Sequence, residues 1–446
     1  MDFIPHTPDD DAAMLQRIGM DALEELFEAI PAPLRLAGDL AVPPALSEPE
    51  LITHVTELAS RSQAAALTCF AGGGAYDHHV ASAVKALASR AEFATSYTPY
   101  QPELSQGVLQ AIFEFQTLVC SLYGMEVANA SLYDGANALV EAVNLSVRTT
   151  KSERVLVATS IHPHYRAVLR TYTSGLGLEL VDLNFGDDGV VDPAAIDATG
   201  AAAVVTGYPN FFGRLEDLSA LSDAAHEAGA LSVAVTDPTA MGVLASPGSL
   251  GADVVVGEGA TLGNPVSYGG PYVGLFATRL AHVRQVPGRI AGETVDADGR
   301  RAYVLTLQAR EQHIRRAKAT SNVCTNQTLM AIAVAIQLAW LGPEGLRRLG
   351  EICIQRRAAT AARLAELEGC RVRFEGPAFK ELVLETPIPG HELATRLARR
   401  GLLVGPSLGR WYPDLAGCLL IAVTEKRTRS DIDRLVEAVE KELAEA

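Results

Sequence analysis

Lysine is scarce in this chain. It occurs only at Lys85, Lys151, Lys318, Lys380, Lys426 and Lys441, and the 166 residues from 152 to 317 hold none. Nothing in that span can form a Schiff base through an ε-amine. Basic charge in general is short: 37 Lys and Arg stand against 53 Asp and Glu, a net of −16. A phosphate backbone wants a basic face, so nucleic acid is excluded as a partner. The six cysteines (Cys69, Cys120, Cys324, Cys353, Cys370, Cys418) show no CxxC spacing. They read as buried or idle thiols, not as a disulfide framework or a metal site. The acidic start, Met1 to Asp11, lacks the basic and apolar regions of a signal peptide. The longest apolar helical stretch, Met330 to Gly342, reads as too short for a bilayer and contains Gln337. A cytoplasmic protein with no membrane partner is the expectation. No internal repeat or low-complexity segment is visible.

What is present is an α/β pattern. With 446 residues the chain is long enough for two or three domains. Thr7-Pro8-Asp9-Asp10-Asp11 predicts a helix start, with the helix running to about Glu28 before Pro31 and Pro33. A second helix follows over Glu48–Arg61. Residues 1–60 therefore read as a helical arm, packed on the main domain or on a neighbour. From about Thr117, short apolar runs alternate with helices. The strands expected are Arg154–Thr159, Leu178–Leu183, Ala202–Gly207, Leu231–Thr236, Asp253–Gly257 and Tyr272–Ala277, with helices at Gly135–Arg148 and Ser219–Ala228. Such runs imply a mostly parallel sheet covered on both faces, with its site at the carboxyl ends of the strands. A long helix over Gln327–Leu341 precedes Gly342-Pro343. A smaller α+β domain then spans 343–446, leaving 61–342 as the large α/β domain. This layout is that of fold-type I pyridoxal-phosphate enzymes, which hold their cofactor on a lysine. The lysine gap covers most of the large domain.

Several local motifs have a chemical and a plain reading, and both stay open. Tyr133-Asp134-Gly135-Ala136-Asn137 could seat a phosphate at a helix N-terminus, or Asp134 could simply cap the helix. Asp237, ending a strand, could hold a pyridinium nitrogen or start a turn. His162 in His162-Pro163-His164-Tyr165-Arg166 could stack on a ring or open a helix. His78-His79 is too sparse for a metal site, with no third ligand at a sensible spacing. Gly72-Gly73-Gly74 fits no dinucleotide fingerprint and reads as a permissive loop. Arg310 to Lys318 predicts a basic helix face that could steer an acidic partner. Ser96-Tyr97-Thr98-Pro99-Tyr100-Gln101-Pro102-Glu103 is a proline-stiffened loop of phenols, amide and carboxylate. It suits ligand binding or a subunit contact.

Taken in order, these tracts resemble the P-protein of the glycine cleavage system, subunit 1 of the two-subunit bacterial form, nearly end to end. The resemblance is carried by Phe70 to Gly74 with Asp77-His78-His79, Tyr97 to Glu103 with Ser105-Gln106-Gly107, and Asn129 to Ala136. His162-Pro163, Gly257 to Pro271, Leu305 to Arg316 and Lys318 to Asn322 continue it. It implies the pyridoxal-phosphate fold-type I. It also implies that subunit 2 carries the cofactor lysine in a histidine–lysine pair near a run of glycines. Here the matching stretch, Thr261-Leu262-Gly263-Asn264-Pro265, has neither residue. The resemblance thus implies pyridoxal phosphate bound by the partner subunit and not covalently by this chain. Asp134, Gly135, Ala136, Asn137, His162 and Asp237 would be a relic cofactor pocket.

The family reaction is decarboxylation of glycine and transfer of the aminomethyl group to the lipoyl arm of H-protein, in an α2β2 assembly. Sites of this class lie at a dimer interface. The rim this chain would lend is Tyr97, Thr98, Tyr100, Gln101 and Glu103, with Ser321 and Asn322, and no metal. Two other readings compete: a purely structural assembly partner, and a self-sufficient enzyme using histidine for lysine. Residues 250 to 275 contain no histidine, which opposes the latter.

Overall fold

The computed structural model describes residues 5–36, 38–94, 97–267 and 269–445. Met1 to Ile4 of the acidic start lie outside them. In chain order the strands are β1 (Thr68–Ala71), β2 (Val127–Ala128), β3 (Arg154–Ala158), β4 (Glu179–Leu183), β5 (Ala201–Tyr208), β6 (Leu231–Thr236) and β7 (Val254–Glu258). They continue with β8 (Gly274–Thr278), β9 (Ile290–Val295), β10 (Arg301–Thr306), β11 (Arg371–Val372), β12 (Glu381–Glu385), β13 (Leu402–Gly405) and β14 (Cys418–Ala422). Seven of them form the main sheet in the order β2-β8-β7-β6-β5-β3-β4. β8 runs antiparallel to β7 and to β2, and the remaining pairs are parallel.

The apolar runs dictate this sheet. Every residue of β5 and β7 is buried, which a strand covered on both faces requires. The helix Gly135–Thr150 packs on it through Leu139, Val140 and Val143, into a core that includes Val155, Val205, Val233 and Val256. The carboxyl ends of β3, β5, β6 and β7 consequently converge. They present Ile161 and His162, Pro209 and Asn210, Asp237 and Glu258 to one cavity.

The C-terminal part adds the antiparallel sheet β11-β12-β14, and β13 pairs in parallel with β1. The helices Gly390–Arg399 and Arg429–Ala444 cover its apolar residues Leu382, Leu384, Leu419 and Ile421. A hairpin, β9 with β10, was not expected from the sequence. Nor was the β1–β13 pairing.

The chain divides into Met1–Ala65 and Ala66–Ala446. In the first unit the helix Pro8–Ile18 begins with a Thr7–Asp10 capping box, as its sequence predicts. It stops at Gly19, in the left-handed conformation, instead of continuing to Glu28; only a 3-10 turn, Leu23–Phe27, follows. The helix Glu48–Ser60 carries its own Ser47–Glu50 box.

One further expectation holds and one changes. The helical span Thr328–Ala365 is two helices, as expected, because Gly342 (φ 60°, ψ −178°) is not helical and breaks it ahead of Pro343. Counted across that break the span has the length and composition of a membrane helix. Its apolar half instead packs inward, with Ala331, Val334 and Leu338 in the core. The stretch Arg310 to Lys318 is not a basic helix. It is a single α-turn, Gln312–Arg315, between two 3-10 turns, and Arg316 has a positive φ of 53°. Arg310 is buried and donates to the carbonyls of Leu307 (3.0 Å), Gly288 (3.1 Å) and Val286.

Candidate functional site

The cavity at the strand ends is lined by Gly74, Tyr76, His162, Tyr165, Phe211, Asp237, Glu258, Thr261 and Glu381, among others, and encloses about 70 Å³. Small-molecule sites usually offer roughly 300–1,000 Å³. Each wall follows from local sequence. Asp237 sits one residue past β6, where its Oδ1 accepts the N–H (3.0 Å) and hydroxyl (2.6 Å) of Thr239. The turn-starter reading therefore holds, and a second role comes on top of it. Lys380, immediately before β12, brings its Nζ to 2.5 Å from Asp237 Oδ2. The same ammonium donates to His78 Nε2 (2.8 Å) and Thr239 Oγ1 (3.2 Å), with the Tyr76 ring 3.5 Å away. An ammonium has three N–H groups, and all three are used.

The network continues outward. His78 takes a proton-donating role at Nδ1, 2.6 Å from Glu425 Oε2, and Glu425 Oε1 also accepts the His79 N–H (2.6 Å). Burial alone would raise the Glu425 carboxyl, but the hydrogen bonds from His78 and the His79 N–H bring it down to about 2. Burial, then Lys380, lowers His78, which fits a neutral imidazole accepting at Nε2. Burial opposes ionisation of Asp237 too, yet the charge and hydrogen bond of Lys380 hold it below the ordinary value. Glu381, whose Oε1 accepts the Gly73 N–H (2.8 Å), is pushed up to about 7 by burial.

His78 thus has neighbours that its sequence context did not reveal. Ligand-type atoms of His78, Cys353 and Glu425 lie within 4.8 Å of one another. A metal site needs a thiolate, whereas burial pushes the Cys353 thiol up to about 12. The imidazole is also committed at both nitrogens.

At the other end of the cavity, Asp134 caps the helix Gly135–Thr150 through Asn137 N–H (2.7 Å). A second donor of that turn, Gly135 N–H, points to Glu258 Oε2 at 2.9 Å. Glu258 Oε1 accepts from Ala260 and Val273, both at 2.9 Å. Burial pushes this carboxyl up to about 7 against those three N–H groups. A Cβ at position 135 would lie 2.3 Å from Tyr165 Oη, so the glycine is needed for close approach. Ala136 and Asn137 are buried inside that first turn, with no part in the cavity wall. His162 caps its own helix, accepting from His164 N–H (3.1 Å) at Nδ1 and facing Gly73 O (2.6 Å) with Nε2. Its ring stacks on Tyr165 at 5.1 Å, and burial lowers its pKa to about 4.

The tyrosine loop lies elsewhere. Its first residue, Ser96, is outside the described residues. Tyr97 and Tyr100 are 81% and 63% exposed, as are Gln101 and Glu103, but Thr98 is buried. Arg289 holds the loop from beneath. It donates to Thr98 Oγ1 and Tyr100 Oη (3.4 Å), lies 5.1 Å from the Tyr100 ring, and sits 3.9 Å from Glu311. Ser321 donates to Glu141 (2.9 Å), and Asn322 is exposed. None of these seven residues lines the strand-end cavity.

A large, mostly parallel sheet with a pocket over its carboxyl ends and a small C-terminal α+β part defines the class: fold-type I of the pyridoxal-phosphate enzymes. The fold of a sphingosine-1-phosphate lyase from Burkholderia pseudomallei matches it with a TM-score of 0.67 at 15% identity, covering 93% of this chain and 95% of that one. A crystal structure of glycine decarboxylase, the P-protein of the glycine cleavage system, in inhibitor-bound form matches far more closely. Its TM-score is 0.91 at 44% identity, covering 99% of this chain and all of that one. The family model described as glycine cleavage system P-protein matches residues 1–439. Probable glycine dehydrogenase (decarboxylating) subunit 1 of Desulforamulus reducens is 49% identical, over 98% of both chains. The protein of the same description from Moorella thermoacetica is 48% identical over the full length of both. The chain belongs to the glycine cleavage system P-protein family, on the side of subunit 1 of the decarboxylating glycine dehydrogenases.

The class implies pyridoxal phosphate, and this chain's pocket does not fit it. The 261–265 stretch has no lysine. Gly135 N–H is taken, Asp237 is neutralised and the cavity is small. Lys380 was missed at the sequence level. Its only signal was a Lys-Glu pair at the head of an apolar strand, Phe379-Lys380-Glu381-Leu382-Val383.

Proposed function

We propose that this chain is the cofactor-free subunit of a two-subunit glycine dehydrogenase. In this reading subunit 2 holds the pyridoxal phosphate, and the α2β2 complex decarboxylates glycine and passes the aminomethyl group to the lipoyl arm of H-protein. This chain is inactive alone. Its contribution is a rim: Tyr97, Tyr100 and Gln101 offer donors for the glycine carboxylate or the cofactor's edge, and Glu103 offers an acceptor for the amine. Thr98 anchors the loop. Ser321 and Asn322 are weaker members.

The observation that carries this reading is the loop's construction. Two phenols stand in solvent beside Leu104, itself 83% exposed, on a backbone tied to a buried arginine. Exposed aromatic and apolar groups on a stiff support suit an interface that must hold a small ligand in fixed geometry.

The test is glycine-dependent exchange of labelled carbon dioxide, run with this chain alone, then with subunit 2, pyridoxal phosphate and lipoylated H-protein. Exchange only in the mixture is expected. Tyr97→Ala with Tyr100→Ala should then lower exchange at least tenfold, about 1.4 kcal/mol of barrier, with the complex still assembled by gel filtration. Full exchange in the assembled variant would reassign the loop to assembly and favour a purely structural role for the chain.

A further inference from the structure

We infer that the pocket of this chain is closed by two of its own charged side chains, Lys380 and Glu258, which stand where a pyridinium and a phosphate would stand. The inference extends the reading that the cofactor belongs to the partner. Its test uses this chain alone, so the two can fail separately.

The pyridinium end comes first. A strand-end aspartate in this fold holds a protonated ring nitrogen. Here Asp237 Oδ2 meets the Lys380 ammonium at 2.5 Å instead. The lysine side chain is 1% exposed, and its other two protons go to His78 and Thr239. Asp237 Oδ1 is filled by Thr239. Neither partner keeps a free valence for a ring nitrogen.

At the opposite end, the N-terminus of a sixteen-residue helix would ordinarily receive a phosphate. Its Gly135 N–H already reaches the Glu258 carboxylate, which also takes two N–H groups from its own loop. Asp134 takes the Asn137 N–H. An entering phosphate would find these donors spent and two carboxylates facing it. Between the two ends, Tyr165 stacks on His162, and the edge of Phe211 meets His162 at 4.9 Å. The slot for a ring is filled by the chain's own rings. Asp237 and the Gly135 and Asn137 N–H groups, which a cofactor would otherwise engage, are satisfied from within, although Thr261 Oγ1 in the cavity wall has no partner.

The test has two arms on the purified full-length chain. In the first, the wild type is mixed with pyridoxal phosphate, reduced with borohydride and peptide-mapped. The exposed Lys85 and Lys318 should be labelled and Lys380 should not; a pyridoxyl group on Lys380 would overturn the inference. In the second, equilibrium dialysis measures retention of pyridoxamine 5′-phosphate, which cannot label lysines. Wild type should retain none above background. K380A with E258A frees Asp237 and the Gly135 N–H, and should raise retention at least tenfold. Stoichiometric retention by the wild type would overturn the closed pocket. So would a folded double variant with no gain. Should the double variant not fold, the wild-type arms still decide.

Discussion

Lys380→Met removes one charge from the centre of the molecule while keeping the side chain's bulk. Asp237 is then left with only its Thr239 contacts, and Thr239 and His78 lose a donor. Breaking a buried pair from one side costs about 3–5 kcal/mol, because the surviving charge keeps its desolvation penalty. The unit from Ala66 to Ala446 has roughly 380 residues. At about 2.1 cal/mol/K per residue its unfolding entropy is about 0.8 kcal/mol/K, so Tm should fall by about 4–6 °C. The effect has a defined pH sign. Without Lys380, burial raises the Asp237 pKa in the folded chain above its unfolded value. The folded state then binds more protons, and stability is lost as pH rises. The Tm gap between wild type and variant should therefore widen between pH 5 and pH 8, as followed by scanning calorimetry. Lys380→Met with Asp237→Leu removes both charges and should recover most of the loss, since an apolar pair of similar volume can replace a buried ion pair. A gap under about 1 °C at pH 8, or one that does not change with pH, would refute the claim that Lys380 is the counter-ion of Asp237.

Two further substitutions probe the frame around this pair. Glu425→Gln should destabilise the chain by about 3 kcal/mol at pH 7, because the folded carboxyl lies near 2 against an ordinary 4.5. That contribution is present above pH 4.5 and is lost as pH falls toward 2, so the wild-type advantage in urea unfolding should shrink in acid. Gly274→Ala places a Cβ 2.4 Å from the Asp134 carbonyl oxygen. The overpacking should cost about 1–3 kcal/mol in the same urea assay, and an unchanged midpoint would contradict the close approach of β8 to the helix cap.

The sequence resolves the parts of this molecule that are governed by local rules. β5 and β6 are continuous apolar runs, and the main sheet needed only that pattern and the alternation with helices. Asp134 and His162 were legible as caps because capping is decided within four residues. The misses have two causes. The β1–β13 pairing joins Thr68 to Leu402, and the Lys380–Asp237 pair joins residues far apart in the chain. No local periodicity encodes either. The basic stretch Arg310 to Lys318 failed for another reason. Helix propensity predicted a solvated face, but Arg310 is drawn inward by three backbone carbonyls and the backbone turns at Arg316. Tertiary hydrogen bonds outweighed propensity.

The lysine gap in the sequence leaves the argument about this pocket incomplete. A pocket built to hold a cofactor exposes an aspartate at one end and free helix N–H groups at the other. Removing the Schiff-base lysine leaves both in place, and each is costly to bury unpaired. A chain that forgoes the cofactor has to supply a cation at the first point and an anion at the second. Here Lys380 comes from the head of β12 and Glu258 from the end of β7. The first of these also joins the C-terminal sheet to the end of β6, so the charge that replaces the ring nitrogen ties two layers of the fold together. The position of a chain's remaining lysines, and whether one opens a buried strand, is therefore as informative as the missing one. A lysine-free span in a fold of this class should prompt a search for the substitute counter-ion elsewhere in the chain.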